Sequence, residues 1–363
     1  MPAGSLSEAF ADGGFELGQV DFIGNPAQSA FDWWPEDLVA APIPGYSPQL
    51  GWTLALGAGY FLTEQKEDGP PPSILGGFLF GAENGSFAGG LGTKFHLNDD
   101  RFRIRAGAGY MDIRYRYYGS DRITNELGLS LDILQKGPMA FVVGSTRIWR
   151  KLYVGAGYIS GNVETRPRVV RDENNFLDPS LKLDVAAVTL PVEWDSRDHE
   201  QFPREGYYIK GRAMVYRKDI GSDFDVETFE LAVNRYFPVR DSDVLALRAY
   251  ARSTGDNAPF FILSTFGGST DLRGYPSGRY RDRMMYALQG EYRWAVNDRW
   301  IMTGFGGVGE VAGSFSDFGR EFLPAAGIGA RFVLSQKHRI SLSADVATSK
   351  NGTEFYFGVG EAF

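Results

Sequence analysis

Residues 339–347 read RISLSADVA, and Ile340, Leu342, Ala344 and Val346 alternate with Arg339, Ser341, Ser343 and Asp345. Successive side chains of a β-strand point to opposite faces, so this period of two makes one face apolar and the other polar. The pattern recurs on both sides of that stretch. In 284–294, MMYALQGEYRW, Met284, Tyr286, Leu288, Tyr292 and Trp294 share one face, while Gln289, Glu291 and Arg293 share the other. In 244–252 Leu245, Leu247, Ala249 and Ala251 oppose Arg248, Tyr250 and Arg252, and in 207–217 Tyr207, Ile209, Ala213 and Val215 oppose Lys210 and Arg212. The last stretch, EFYFGVGEAF, sets Phe355, Phe357, Val359 and Phe363 against Gly358 and Gly360.

A soluble β-sandwich alternates in the same way. Three features point instead to a membrane barrel. The strands run about 10–12 residues, the length of a tilted transmembrane strand. Charged and small residues dominate the second face, which a wet lumen tolerates and a dry core does not. Aromatics gather near strand ends, at Tyr60 and Phe61, Tyr117 and Tyr118, Trp194, Tyr207, Tyr236 and Phe237, Trp294 and Trp300, as in the interfacial girdles of such barrels. The fold expected is all-β: a transmembrane antiparallel β-barrel.

Composition narrows the function. The chain has 363 residues, 46 glycines, no cysteine and a net charge of −8. Without cysteine there is no disulfide framework, thiolate metal site or cysteine nucleophile. Without a basic block there is no footprint for nucleic acid. No run approaches the roughly 20 apolar residues of a membrane helix. The first residues, MPAGSLSEAFADGG, have neither the basic nor the apolar region of a signal peptide, so the segment reads as cytosolic or as a mature form. His96, His199 and His338 fall at strand ends or turns without ligand-like spacing, and no G-x-S-x-G occurs. No metal, cofactor or catalytic activity is expected.

Sixteen strands can be counted, from 50–62 to 354–363, the least clear being the pair 124–135 and 138–148. The turn between them, Gln135-Lys136-Gly137-Pro138, could instead be a bulge in one long strand. An even count puts both ends of the wall on one side of the membrane. The connections 63–72, 166–182 and 255–283 are long and read as extracellular; the alternate ones are mostly short and read as periplasmic. Residues 1–49, with Pro26, Pro35, Pro42, Pro44 and Pro48, read as an extended N-terminal periplasmic or lumenal segment, leaving 50–363 for the barrel with its long loop 255–283.

Four motifs resemble the barrel domain of the Omp85 (BamA/TamA-like, surface antigen D15) superfamily. Leu272-Arg273-Gly274-Tyr275, inside the longest loop, looks like the family's [V/I/L]-R-G-[F/Y] motif of the sixth extracellular loop. Glu291-Tyr292-Arg293 is similar to its E-[Y/L]-R. Asp195-Ser196-Arg197-Asp198 with Phe202-Pro203 and Gly206-Tyr207 resembles its periplasmic D-x-R-D…P-x-x-G turn. The final strand ending in Phe363 looks like the signal by which such barrels are recognised for assembly. The motifs cover about 195–363. In the family the loop folds into the lumen with its arginine against acidic or aromatic residues of the inner wall, which implies a bidentate contact of Arg273 with inward-facing Glu291 or its near neighbour, and Glu291 and Arg293 as the lumenal partners of the loop. Gly274 would permit close approach, and Tyr275 would pack with a polar tip. One departure stands out: the family commonly has F-x-D-x-G on the thirteenth strand, where this chain has Phe305-Gly306-Gly307-Val308-Gly309. A partner of Arg273 is missing at Gly307.

Asp195, Arg197 and Asp198 are read as a turn held by local hydrogen bonds rather than as a metal or catalytic site. Gly57 and Gly59 in the first counted strand, with Gly358 and Gly360 in the last, mark the closing seam. In the family that seam is a lateral gate, although glycine also simply relieves crowding in a wall. The resemblance implies a role in outer-membrane protein assembly or translocation, with unfolded outer-membrane proteins or a fused passenger domain as partners beside lipopolysaccharide and phospholipid. No POTRA domain fits in 49 residues. The alternative is a diffusion channel or structural outer-membrane protein.

Overall fold

The computed structural model describes residues 37–363 apart from 48, 64–71, 119–129, 168–179, 200–201, 241 and 336–339. Its strands are β1 (Leu38–Ser47), β2 (Gly51–Phe61), β3 (Ile74–Ala82), β4 (Phe87–Leu97), β5 (Phe102–Tyr117), β6 (Leu131–Trp149), β7 (Leu152–Pro167), β8 (Leu181–Asp195) and β9 (Gly206–Tyr216). They continue with β10 (Val226–Pro238), β11 (Val244–Thr254), β12 (Ser264–Phe266), β13 (Tyr280–Asp282), β14 (Met284–Ala295), β15 (Trp300–Ala312), β16 (Leu323–Ser335), β17 (Ile340–Ser349) and β18 (Gly352–Val359). Sixteen of them, all but β12 and β13, form one closed antiparallel barrel in chain order, with β1 meeting β18. β12 and β13 pair with each other inside the connection 255–283.

The count of sixteen holds, but through different strands. The Gln135–Pro138 turn does not exist: Leu131–Trp149 is one strand, and its Gly137 opposite Met111 adopts φ 153°. Gly-Pro read as punctuation because proline lacks a ladder donor, yet here the ladder to β7 passes from the Lys136↔Glu164 pair to the Met139↔Gly161 pair without a shift of register. The strand lost there is regained at β1, so the barrel begins at Leu38 and not at residue 50. Residues 1–36 of the expected N-terminal segment lie outside the described residues. Strand alternation then puts the β2–β3 connection at the end that holds the Asp195–Gly206 turn, opposite the 255–283 loop, and not at the same end as that loop as its length suggests.

The outer face is apolar. Trp52, Leu79, Leu91, Val142, Trp149, Ile328 and Phe355 are exposed there, Leu91 by 73%, as a wall facing hydrocarbon requires. β5, β6 and β7 are 16, 19 and 16 residues long, more than a bilayer needs. Their surplus is marked by a cross-strand row of alternating charge, Asp112–Lys136–Glu164–Lys182. Unlike charges side by side favour the pairing, and charges on the lipid-facing side place this row beyond the hydrocarbon.

The lumen is filled at the loop end. Phe261 and Ile262 pack among Met111, Ile113, Tyr115 and Tyr216 of one half of the wall. Phe266, Leu272, Tyr275 and Tyr280 pack against Met285, Ala287, Leu323 and Ala325 of the other. The rings of Phe266, Tyr275 and Tyr280 meet at 5.4–5.9 Å. The 255–283 loop is therefore a plug that spans the barrel.

Candidate functional site

Arg273 sits at the bottom of the plug, 2% exposed, and Glu291 on β14 is fully buried. The structure brings them together: Arg273 Nη2 donates to Glu291 Oε2 at 2.5 Å. Its Nη1 donates to Asp345 Oδ2 on β17 at 2.6 Å, and the guanidinium lies 3.5 Å from the centre of the Phe305 ring on β15. Each carboxylate is shared. Arg293 Nε donates to Glu291 Oε1 at 2.8 Å, and Arg331 Nη1 on β16 donates to Asp345 Oδ1 at 2.5 Å. Glu361 lies 3.2 Å from Arg331 Nε and 3.4 Å from Arg293 Nε. Three guanidiniums thus face three carboxylates, a neutral cluster. Neutrality is what burial demands, because a buried charge without its counterpart costs several kcal/mol.

The wall is shaped for this anchor. A Cβ at Gly307 would lie 3.0 Å from Leu272 Cδ1, and one at Gly309 would lie 2.9 Å from its Cδ2. Gly307 is thus the floor of the Leu272 pocket, and Arg273 takes its second carboxylate from Asp345. A Cβ at Gly329 would fall 1.8 Å from Asp345 Oδ1, and one at Gly327 would fall 2.5 Å from the Phe305 ring. Leu272 itself holds φ 55°, a left-handed conformation that costs a non-glycine residue about 1–2 kcal/mol. Gly274, at φ 113°, lies against β16 and β17: its N–H donates to Tyr356 Oη at 3.0 Å and its carbonyl accepts from Ser349 Oγ at 2.6 Å. Tyr275 Oη donates to the Pro324 carbonyl at 2.8 Å.

The Asp195–Gly206 turn is braced by local hydrogen bonds. Arg197 donates to both oxygens of Asp195, at 2.9 and 2.7 Å, and stacks 4.1 Å over Tyr208. Asp198 accepts from the backbone N–H of Arg204 and Glu205. Pro203 is buried, and Gly206, at φ 103°, leaves no room for a Cβ beside the Ser196 carbonyl. Of the histidines, His96 pairs with Asp100 at 2.6 Å and His199 Nδ1 accepts from Phe202 N–H, while His338 lies outside the described residues. Among the described residues no cluster of His, Asp and Glu has the form of a metal site.

The seam lies one strand from where the glycines put it. Gly57 and Gly59 are on β2, opposite Ala41 and Val39, and β1 alone meets β18. Every residue of β1 has a partner on β2, whereas its ladder with β18 registers one pair among the described residues, Tyr46↔Phe357. Proline explains the difference. Pro42 and Pro44 have no N–H, so their pairs with Leu56 and Leu54 are of the non-hydrogen-bonded kind, and the sides that lack a donor point at β18. What holds the seam is local. On the lipid face Trp52 meets Tyr46 at 5.3 Å and stacks on Phe357 at 5.9 Å. On the lumenal side Gln49 Nε2 donates to the Ser277 carbonyl of the plug.

Phe363 does not extend the last strand. β18 ends at Val359, Gly360 turns at φ 83°, and the chain enters the lumen. There Phe363 packs against Tyr236, Val244 and Ala246, and its carbonyl accepts from Arg293 Nη2 at 2.7 Å. The alternation that put Phe363 on the lipid face puts Glu361 there as well, and an ionised carboxylate is expelled from that face. Asp345, Arg331 and Glu361 stand in no motif, and Phe305 stands in one without its part under Arg273 being foreseen. Asp345 alone carried a signal, as the acidic residue on the polar face of 339–347.

A family model described as the Omp85 superfamily domain matches residues 124–363. Among solved structures, BamA from Haemophilus ducreyi lacking POTRA domains 1–3 superposes with a TM-score of 0.63 at 14% identity, over 89% of this chain and 70% of that one. CdiB from Acinetobacter baumannii gives 0.57 at 14% over 89% and 59%, and CdiB from Escherichia coli 0.57 at 12% over 90% and 63%. The chain thus spans less than two thirds of either CdiB, and no curated protein sequence matches it significantly. The likeness to these structures is one of fold; together with the family match it makes this chain a member of the Omp85 superfamily and a multi-pass β-barrel of the bacterial outer membrane.

Proposed function

We propose that the barrel assists the assembly of polypeptides into, or their passage across, the outer membrane, and that the β1–β18 seam is where it does so. The observation that carries this reading is the seam's single registered pair, with prolines where the ladder needs donors. An unpaired strand edge is costly in hydrocarbon, so this edge favours another strand. An unfolded outer-membrane protein or a passenger segment offers backbone donors and acceptors in the form that strand addition uses. Lipopolysaccharide and phospholipid cover the remaining outer face, and the reading includes no catalytic step and no cofactor.

A diffusion channel needs an open lumen, and the plug argues against one. Planar-bilayer conductance separates the two. The native barrel should conduct weakly and deletion of 267–283 should raise conductance sharply, while native barrels in liposomes should speed insertion of an unfolded outer-membrane protein. Large, stable native conductance with no effect on insertion would favour the channel.

A further inference from the structure

Glu310 on β15 is paired with Tyr286 on β14, and Tyr286 shares the outer face of β14 with Leu288 and Trp294, both exposed. Alternation therefore points the Glu310 carboxylate outward, yet Glu310 is buried. What covers it is the β15–β16 connection, residues 313–322. The N–H groups of Gly319, Arg320 and Glu321 donate to its two oxygens at 2.9, 2.9 and 3.0 Å, and Tyr286 Oη donates at 3.2 Å. Instead of standing out from the rim, the connection bends down over the outside of the wall. Phe318 lies there against Tyr286, ring centres 5.3 Å apart, and Phe315 against Phe318 at 6.1 Å. The height matters. β14 runs from the plug end to the opposite rim, and Tyr286 stands eight residues above Trp294. At about 3.4 Å per residue and a tilt of about 40° that is about 21 Å, within an apolar band about 25 Å tall whose lower edge the tryptophan girdle marks.

The connection is built for that place. In SFSDFGREF, 314–322, Phe315, Phe318 and Phe322 fall at i, i+3 and i+7, and Phe315 is 82% and Phe322 60% exposed. Its charges are answered at home: Arg320 pairs with Asp317 at 2.8 Å, and Glu321 with Lys350 of the next hairpin. Apolar side chains on one side and neutralised polar groups on the other are the pattern of a segment that lies in a membrane interface. We infer that residues 313–322 form a foot that inserts Phe315, Phe318 and Phe322 among the acyl chains of the lipopolysaccharide leaflet, with Glu310 holding it down. Lipopolysaccharide is the occupant because the foot lies at the outer end of the barrel and continues the lipid-facing surface of β14. The strands it grips, β14 to β16, carry Glu291, Phe305 and Arg331 of the plug anchor, so the foot fixes that sector of the wall against the leaflet.

The chain has no cysteine, so a spin label attaches only where one is introduced. In isolated outer membranes a label at Phe315→Cys should be relaxed more by oxygen, which concentrates in hydrocarbon, than by a water-soluble nickel chelate, as at the wall control Leu288→Cys. A label at Ser316→Cys, the exposed polar neighbour, should show the reverse. Adding Glu310→Gln weakens the hold on three N–H groups and should raise nickel relaxation at Phe315→Cys several-fold. A benzophenone amino acid in place of Phe315 should cross-link to material that an antibody against lipid A recognises. Heat-modifiable gel mobility verifies that each variant is folded. Nickel-dominated relaxation at Phe315→Cys, shielding from both reagents with a cross-link to protein, a cross-link without lipid A, or no change on adding Glu310→Gln would each overturn the inference.

Discussion

Arg273→Ala tests whether the neutral cluster holds the plug. Removing one member of a buried ion pair costs about 3–5 kcal/mol. Here the loss is softened, because Glu291 keeps Arg293 at 2.8 Å and Asp345 keeps Arg331 at 2.5 Å. Three carboxylates then face two guanidiniums, leaving one negative charge in excess. The lower end of the range applies, about 3 kcal/mol, with about 1 kcal/mol more for the lost contact over Phe305. Together these shift the docking equilibrium of the plug by nearly three powers of ten. Ser277 lies in the plug and is buried. In a Ser277→Cys background, a membrane-impermeant maleimide applied to intact cells reads that equilibrium as a labelling rate. Arg273→Ala should raise the rate strongly, and Arg273→Lys, which keeps the charge but loses the fork, should raise it less. Adding Asp345→Asn to Arg273→Ala removes the excess charge and should restore part of the protection. A rate within about threefold of the Ser277→Cys background, against the shift expected, or no restoration in the double variant, would refute the charge-balance reasoning.

Three further outcomes follow from named contacts. Gly307→Asp, which installs the residue common in the family, crowds Leu272 and the Leu288 carbonyl and should cost about 1–3 kcal/mol by overpacking, read as a lower urea midpoint; an unchanged midpoint would show that Leu272 is not held there. Trp52→Ala removes the lipid-side clamp on Tyr46 and Phe357, worth about 0.5–1.5 kcal/mol, and should speed amide exchange at Tyr46 while leaving Met285 unaffected; equal exchange before and after would contradict the clamp. In the β4–β5 turn, burial alone would raise the Asp100 carboxyl, but hydrogen bonds from Arg103, His96 and Tyr153 outweigh it and hold that carboxyl well below its ordinary value of 3.8. Its contribution is therefore complete well above pH 3.8 and is lost progressively as the pH falls from there through the lowered value. Amide protection of Arg101 should thus survive at pH 4, and early loss of protection there would count against it.

Much of this was legible in sequence because a barrel wall obeys one rule, alternation, and the strands from β7 to β17 follow it with polar lumenal residues. Reading failed where backbone chemistry overrode the pattern. Pro42 and Pro44 hid β1, since proline looks like a breaker unless the strand is at an edge. Gly137-Pro138 mimicked a turn inside β6. Phe363 was drawn to the lipid face by its period, although Glu361 shares that parity and cannot stay there. The anchor was half visible: Arg273 and Glu291 stand in motifs, but Asp345 and Arg331 join them only across the closed sheet, a proximity no linear spacing records.

In the proposed function the weak β1–β18 seam parts for the barrel to act. Extending the Tyr46↔Phe357 register by one residue sets Gly45 opposite Gly358. Gly45 would be a non-hydrogen-bonded position toward β18, the kind of pair whose Cα separation of about 4.5 Å a disulfide can bridge. The decisive measurement is the insertion of an unfolded outer-membrane protein into liposomes carrying the Gly45→Cys, Gly358→Cys barrel. Oxidised, it should lose its acceleration of insertion, and reductant should restore it. Equal acceleration with the seam locked and unlocked would contradict the account.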